Sequence, residues 1–189
     1  MTPQPGGRLT RIDEGDALLL TRAFDAAPED VWAAITEPAR LARWIGTWTG
    51  DPAAGHVAFA MTAEGDDGSA PMRYEIERCD PPSRLTVASR TDFGNWRLAL
   101  HVVPVTESIT ESVTESVTAA RAAGRTELRF HHVIDDPAGL ENIGPGWEYY
   151  LDRLVAAETG GDAAAITWDD YYPAQSGYYA DLAGRTAGD

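Results

Sequence analysis

Residues 17–44, ALLLTRAFDAAPEDVWAAITEPARLARW, hold an extended run followed at once by two short helical stretches. In Ala17–Phe24 the alternation puts Leu18, Leu20 and Phe24 on one face, as a half-buried strand requires. Pro28 then suits the first turn of a helix, where its missing N–H leaves nothing unpaired. Val31, Trp32 and Ile35 give that helix an apolar stripe. A second start follows at Thr36-Glu37-Pro38, with Leu41 and Trp44 three apart on one face. The opening therefore reads strand, short helix, short helix.

Downstream, from Trp48 to Val133, the period switches to two. Val57, Phe59 and Met61 alternate with small or polar residues, and Met72, Tyr74 and Ile76 alternate with Arg73, Glu75 and Glu77. Leu85, Val87 and Ser89 share a face, as do Trp96, Leu98, Leu100 and Val102, then Leu128, Phe130 and His132. Gly65-Asp66-Asp67-Gly68, Asp80-Pro81-Pro82-Ser83 and Phe93-Gly94-Asn95 supply the turns. The pattern predicts an antiparallel meander with one buried face. Thr106–Val117 repeats TES[IV] three times; neither helix nor strand gives it a clean apolar face, so 106–123 reads as a low-complexity hairpin insertion. Trp147, Tyr150, Leu151, Leu154 and Glu158 return to helical spacing, which predicts one long helix over Gly146–Glu158, opened by Pro145 and stopped by Gly160-Gly161.

Around this middle, residues 1–16 are polar and read as a flexible N-terminus. Residues 159–189 form an extension with five aromatic rings, Trp168, Tyr171, Tyr172, Tyr178 and Tyr179, expected to pack on the domain or against a second copy in a homodimer. The 189 residues suit one domain, here 17–158.

Composition removes several classes of function. Thirty acidic residues face fifteen basic ones, all Arg, for a net charge of −15. Without a basic cluster neither nucleic acid nor an anionic membrane is an expected partner. No apolar run approaches a membrane span of ~18 residues, and a signal-like segment is missing from the start. A lone cysteine, Cys79, fits a reducing cytoplasm. A phosphate loop lacks its Lys, a serine elbow lacks its G-x-S-x-G, and Cys79 has no signature of an activated thiolate. Of the four His, His131 and His132 point to opposite strand faces and cannot close on one ion, so no metal or other cofactor is expected.

This element order is α+β. One long helix cannot cover a strongly curved sheet, so a cavity between them is expected. Its predicted lining is Phe59, Met61, Met72, Tyr74, Ile76, Val87, Ser89, Trp96, Leu98, Leu100, Phe130 and His132 from the strands, faced by Trp147 and Leu151 from the helix. Tyr74, Ser89 and His132 are the polar members, and each needs a partner or a ligand.

Arg22-Ala23-Phe24-Asp25-Ala26-Ala27-Pro28-Glu29-Asp30-Val31-Trp32, with Thr36-Glu37-Pro38, Leu41 and Trp44, resembles the opening of the START-like, polyketide-cyclase-related (SRPBCC) superfamily. Asp80-Pro81-Pro82-Ser83-Arg84-Leu85, Gly124-Arg125-Thr126-Glu127-Leu128 through His132, and Gly146-Trp147 with Leu151-Asp152-Arg153-Leu154 are similar to its branch of homologues of the activator of heat shock protein 90 ATPase. The resemblance spans roughly residues 17–158. It implies the helix-grip fold, a curved antiparallel sheet around the C-terminal helix. The superfamily includes lipid carriers, hormone receptors, cyclases and chaperone activators. The expected function is therefore non-enzymatic binding of a small hydrophobic or amphipathic ligand in the cavity. Two alternatives stand beside it: a cyclase or dehydratase moving protons through His132, Tyr74 and Glu141, and a chaperone-interacting module using the acidic faces and aromatic tail.

Overall fold

The computed structural model describes residues 3–62, 70–91, 94–105 and 124–186. The TES[IV] insertion and the Gly65–Gly68 turn lie outside these described residues. The elements run β1 (Arg8–Ile12), β2 (Gly15–Phe24), α1 (Pro28–Thr36), α2 (Pro38–Leu41), β3 (Thr47–Thr49), β4 (His56–Ala60), β5 (Met72–Asp80), β6 (Arg84–Thr91), β7 (Gly94–Pro104), β8 (Thr126–Val133), α3 (Leu140–Thr159) and α4 (Ser176–Thr186). The eight strands among the described residues pair antiparallel in one sheet of order β1-β2-β8-β7-β6-β5-β4-β3. Seating β8 beside β2 brings the end of the meander to its beginning. The sheet curves around α3: the helix-grip expectation holds, and the fold is α+β.

Pro28 opens α1 and Pro38 opens α2, each at a position where no N–H is needed. The two short helices close one end of the cup, with Val31, Ile35, Leu41 and Trp44 buried.

Two expectations change, and of the two placements expected for the tail one is seen. Residues 8–12, read as part of a flexible N-terminus, form β1, an edge strand on β2 that carries Arg8 and Arg11. Charges on an exposed edge discourage further strand pairing. The long helix begins at Leu140 rather than Gly146, and Pro145 lies inside it. A proline five residues into a helix removes a single hydrogen bond, the one to the Glu141 carbonyl, and the buried face of α3 holds that turn. The aromatic tail packs back on the domain, its α4 lying against α3.

A buried carboxylate fastens the tail. Glu148 on α3 is 2% exposed. Its Oε1 accepts hydrogen bonds from the backbone N–H of Gly6 (2.6 Å) and Gly7 (3.1 Å) and from the Tyr179 hydroxyl (2.5 Å). Its Oε2 pairs with Arg22 at 2.7 Å. Arg22 also pairs with Asp152, which accepts from the Tyr171 hydroxyl at 2.6 Å. Tyr179 lies so close to α3 that the Gly144 position has no room for a Cβ.

Candidate functional site

The grip is solid on one side and hollow on the other. Against β2 and β8, the C-terminal half of α3 sends Leu151 and Leu154, both fully buried, into a core with Leu18, Leu20, Phe24 and Leu128. Over β4 to β7, the N-terminal half of α3 stands off the sheet and leaves a cavity of about 580 Å³. Ile143, Gly146, Trp147 and Tyr150 form its helical side, and α1 and α2 close one end with Trp32, Ile35, Leu41 and Trp44. That volume falls in the range of sites for drug-sized molecules, ~300–1,000 Å³.

Phe59, Met61, Met72, Tyr74, Ile76, Val87, Trp96, Leu98, Leu100, Phe130 and Trp147 line it, as the alternation predicts. Met61, just past the end of β4, is 42% exposed and sits at the rim. Ser89, His132 and Leu151 are corrections, since none of them borders the cavity. Ser89 is buried opposite Trp96 in the β6–β7 ladder. Leu151 belongs to the solid half.

His132 is tied into the wall behind the lining. Its Nδ1 accepts a 2.8 Å hydrogen bond from the Trp147 indole N–H. An indole nitrogen can only donate, so the ring carries its proton on Nε2. Burial pushes its pKa down to about 4, against a small upward pull from Asp135. It is thus neutral, with its basic nitrogen engaged. Glu141 is exposed and also borders no part of the cavity. The three groups considered for proton transfer are not assembled around a common space.

Several lining residues escape the strand alternation. Trp32, Ile35, Leu41, Trp44 and Ile45 come from the helical end and the turn after it, and Trp48 from β3. Their signal was the apolar stripe on the short helices. Cys79 lines the cavity because the register of β5 shifts between Ile76 and Arg78. Such a bulge exchanges the inward and outward positions beyond it.

Among the described residues that line the cavity, none is Asp, Glu, Arg or His. Five of the six tryptophans contribute, and three of their indole N–H groups are already satisfied. Trp44 donates to the Ala34 carbonyl (3.1 Å), Trp48 to the Thr36 carbonyl (2.8 Å), and Trp147 to His132. Tyr74 is 8% exposed and meets Phe59 edge-on at 5.8 Å. Its hydroxyl hydrogen-bonds to none of the described residues, and burial pushes its pKa up to about 12. It remains a donor at neutral pH.

A second cleft of about 620 Å³ lies where the end of β2 meets the end of α3. Most of its charges are paired: Arg40 pairs with Glu158, and Arg125 lies 3.8 Å from Asp25, while Asp30 also borders it. On the opposite face of the sheet, the His101 and His131 rings lie 4.8 Å apart. Among the described residues no three His, Cys, Asp or Glu gather as a metal site would require.

A family model described as Activator of Hsp90 ATPase homolog 1-like protein matches residues 25–158. The chain belongs to that family. As a member it shares the START-like SRPBCC fold. The solution structure of CalU16 from Micromonospora echinospora aligns over all of both chains, with a TM-score of 0.63 and 20% identity. Its crystal structure covers 95% of this chain and 97% of its own, with a TM-score of 0.59 and 22% identity. A conserved protein of unknown function, EF2215 from Enterococcus faecalis, aligns with a TM-score of 0.64 at 16% identity, over 95% of this family member and 91% of its own chain. At these identities the likeness concerns the fold alone. No curated protein matches this member of the family. No helix among its described residues is long and apolar enough to cross a membrane.

Proposed function

We propose that the chain is a carrier or sensor that encloses one small hydrophobic or amphipathic molecule between α3 and the sheet, without transforming it. The observation that carries this reading is a cavity of about 580 Å³ whose described lining residues include no ionised group, in a chain that is 24% charged. An apolar wall with a few polar groups is the usual make-up of a small-molecule site. Its aromatic rings hold their positions by packing on one another: Trp147 meets Phe130 at 4.4 Å and Trp96 at 6.1 Å.

The test is a titration with N-phenyl-1-naphthylamine, an uncharged dye that fluoresces on leaving water. Saturable binding of one dye per chain is expected. At a hundredfold excess over Kd the stabilisation is ~2.7 kcal/mol, which raises Tm by roughly 5–10 °C. Val87→Trp, which fills the cavity from its sheet side, should abolish both effects while keeping the far-ultraviolet circular dichroism of the parent. Unsaturable binding, or binding indifferent to Val87→Trp, would remove the reading.

A further inference from the structure

Resting on that reading, we infer that the cavity selects uncharged ring systems carrying a hydrogen-bond acceptor, which Tyr74 receives, and that it rejects anions. Three observations carry this. First, among the described residues the wall holds no Arg or His to neutralise an anion and no Asp or Glu to neutralise a cation. An ion brought inside would lose its hydration without compensation. His132, the nearest base behind the wall, already uses its Nδ1 lone pair on Trp147.

Second, the wall is built from rings. Trp44, Trp48, Phe59, Trp96, Phe130 and Trp147 present faces and edges at which flat ligands stack favourably. Third, several of its polar atoms are committed, and the Trp32 and Trp96 indoles and the Asn142 amide that also border it are less buried than Tyr74. The Trp44, Trp48 and Trp147 N–H groups are bonded to protein acceptors, and the Thr36 hydroxyl donates to the Trp32 carbonyl at 2.7 Å. Tyr74, more than nine-tenths buried, brings a hydroxyl that none of the described residues engages. A hydroxyl that opens onto an apolar space has few acceptors there, so a carbonyl or ether oxygen on a guest gains by meeting it.

Three dyes separate the parts of this inference. N-phenyl-1-naphthylamine and 8-anilinonaphthalene-1-sulfonate share one skeleton and differ by a sulfonate. The uncharged dye is expected to bind at least tenfold more tightly, at 0.5 M salt as well as at 0.05 M. High salt screens the acidic surface, whose repulsion would otherwise mimic selection by the wall. The third dye, 6-propionyl-2-dimethylaminonaphthalene, is uncharged and carries a ketone whose emission reports hydrogen bonding. Tyr74→Phe should weaken it about 3–10-fold, as one neutral hydrogen bond warrants, and shift its bound emission to the blue. The same variant should still bind one equivalent of N-phenyl-1-naphthylamine, with a smaller loss of affinity than the ketone dye suffers, which shows that the cavity is intact. Equal binding of the first two dyes, or a preference that vanishes in high salt, overturns the exclusion of anions. A ketone dye indifferent to Tyr74→Phe overturns the role of Tyr74. In both cases cavity binding itself stands; failure of all three dyes to bind removes it as well.

Discussion

His132 shows how one side chain can be conspicuous in a sequence for the wrong reason. A histidine among alternating apolar residues suggests a ligand contact, yet its partner is Trp147, fifteen residues on, across the sheet–helix gap. Nothing in the local sequence records that pairing. The imidazole's pKa falls from about 6.5 to about 4 on folding because burial disfavours its charged form, with Asp135 opposing weakly. As pH drops below 6.5 the unfolded chain therefore binds a proton before the folded one does. The stabilisation is complete above about pH 6.5 and is lost towards pH 4. His132→Gln keeps an acceptor for the indole N–H and removes the titration. Between pH 7 and pH 5, urea unfolding should show the parent losing about 2 kcal/mol more than the variant. Equal losses would mean that the imidazole is not buried as described. His101 and His131 titrate in both proteins and cancel in the comparison. Alternation alone located Phe59, Tyr74, Val87, Leu98 and Phe130 correctly, because a period of two survives any curvature of the sheet. It missed Cys79, since a bulge in β5 is a property of the pairing with β6 that no single strand reveals.

The division of α3 governs what each element contributes. Its C-terminal half packs tightly at Leu151 and Leu154, while its N-terminal half borders the cavity through Ile143, Trp147 and Tyr150. Truncation should therefore cost different amounts on the two sides. Leu151→Ala opens a void in a filled core and should destabilise by about 2–5 kcal/mol in urea. Val87→Ala enlarges a space that already exists and should cost less than about 1.5 kcal/mol. A Val87→Ala loss matching that of Leu151→Ala would contradict the division. The helical period made both halves visible as apolar positions; which half would stand away from the sheet depends on the curvature, which no strand carries by itself. Pro145 reads in sequence as a boundary, yet one missing hydrogen bond is tolerable inside a helix with a buried face. In β1, Arg8, Thr10 and Arg11 hid a strand whose stability comes from its ladder with β2.

For the molecule as a whole, order of elements proved more informative than any motif. Strand, two short helices, a meander and a terminal helix leave few ways to bury every apolar face, and the helix grip is one of them. The placement of the tail rests on a contact that its own sequence does not show. Its rings announce burial, but the buried Glu148 that receives Tyr179 lies on another element and looks in sequence like any helical surface carboxylate. Tyr171 and Tyr179 are buried in the result, whereas Trp168 and Tyr172 stack 5.6 Å apart at the surface.

Trp168 therefore stands outside the cavity that the other five tryptophans line. Fluorine NMR of protein labelled with 5-fluorotryptophan uses that contrast, with Trp168→Phe assigning the outside resonance. On adding N-phenyl-1-naphthylamine, the resonances of Trp32, Trp44, Trp48, Trp96 and Trp147 should move together and saturate at one equivalent, while that of Trp168 stays nearly fixed. A titration in which Trp168 alone responds, or in which none of the six does, would contradict a ligand-enclosing cavity between helix and sheet.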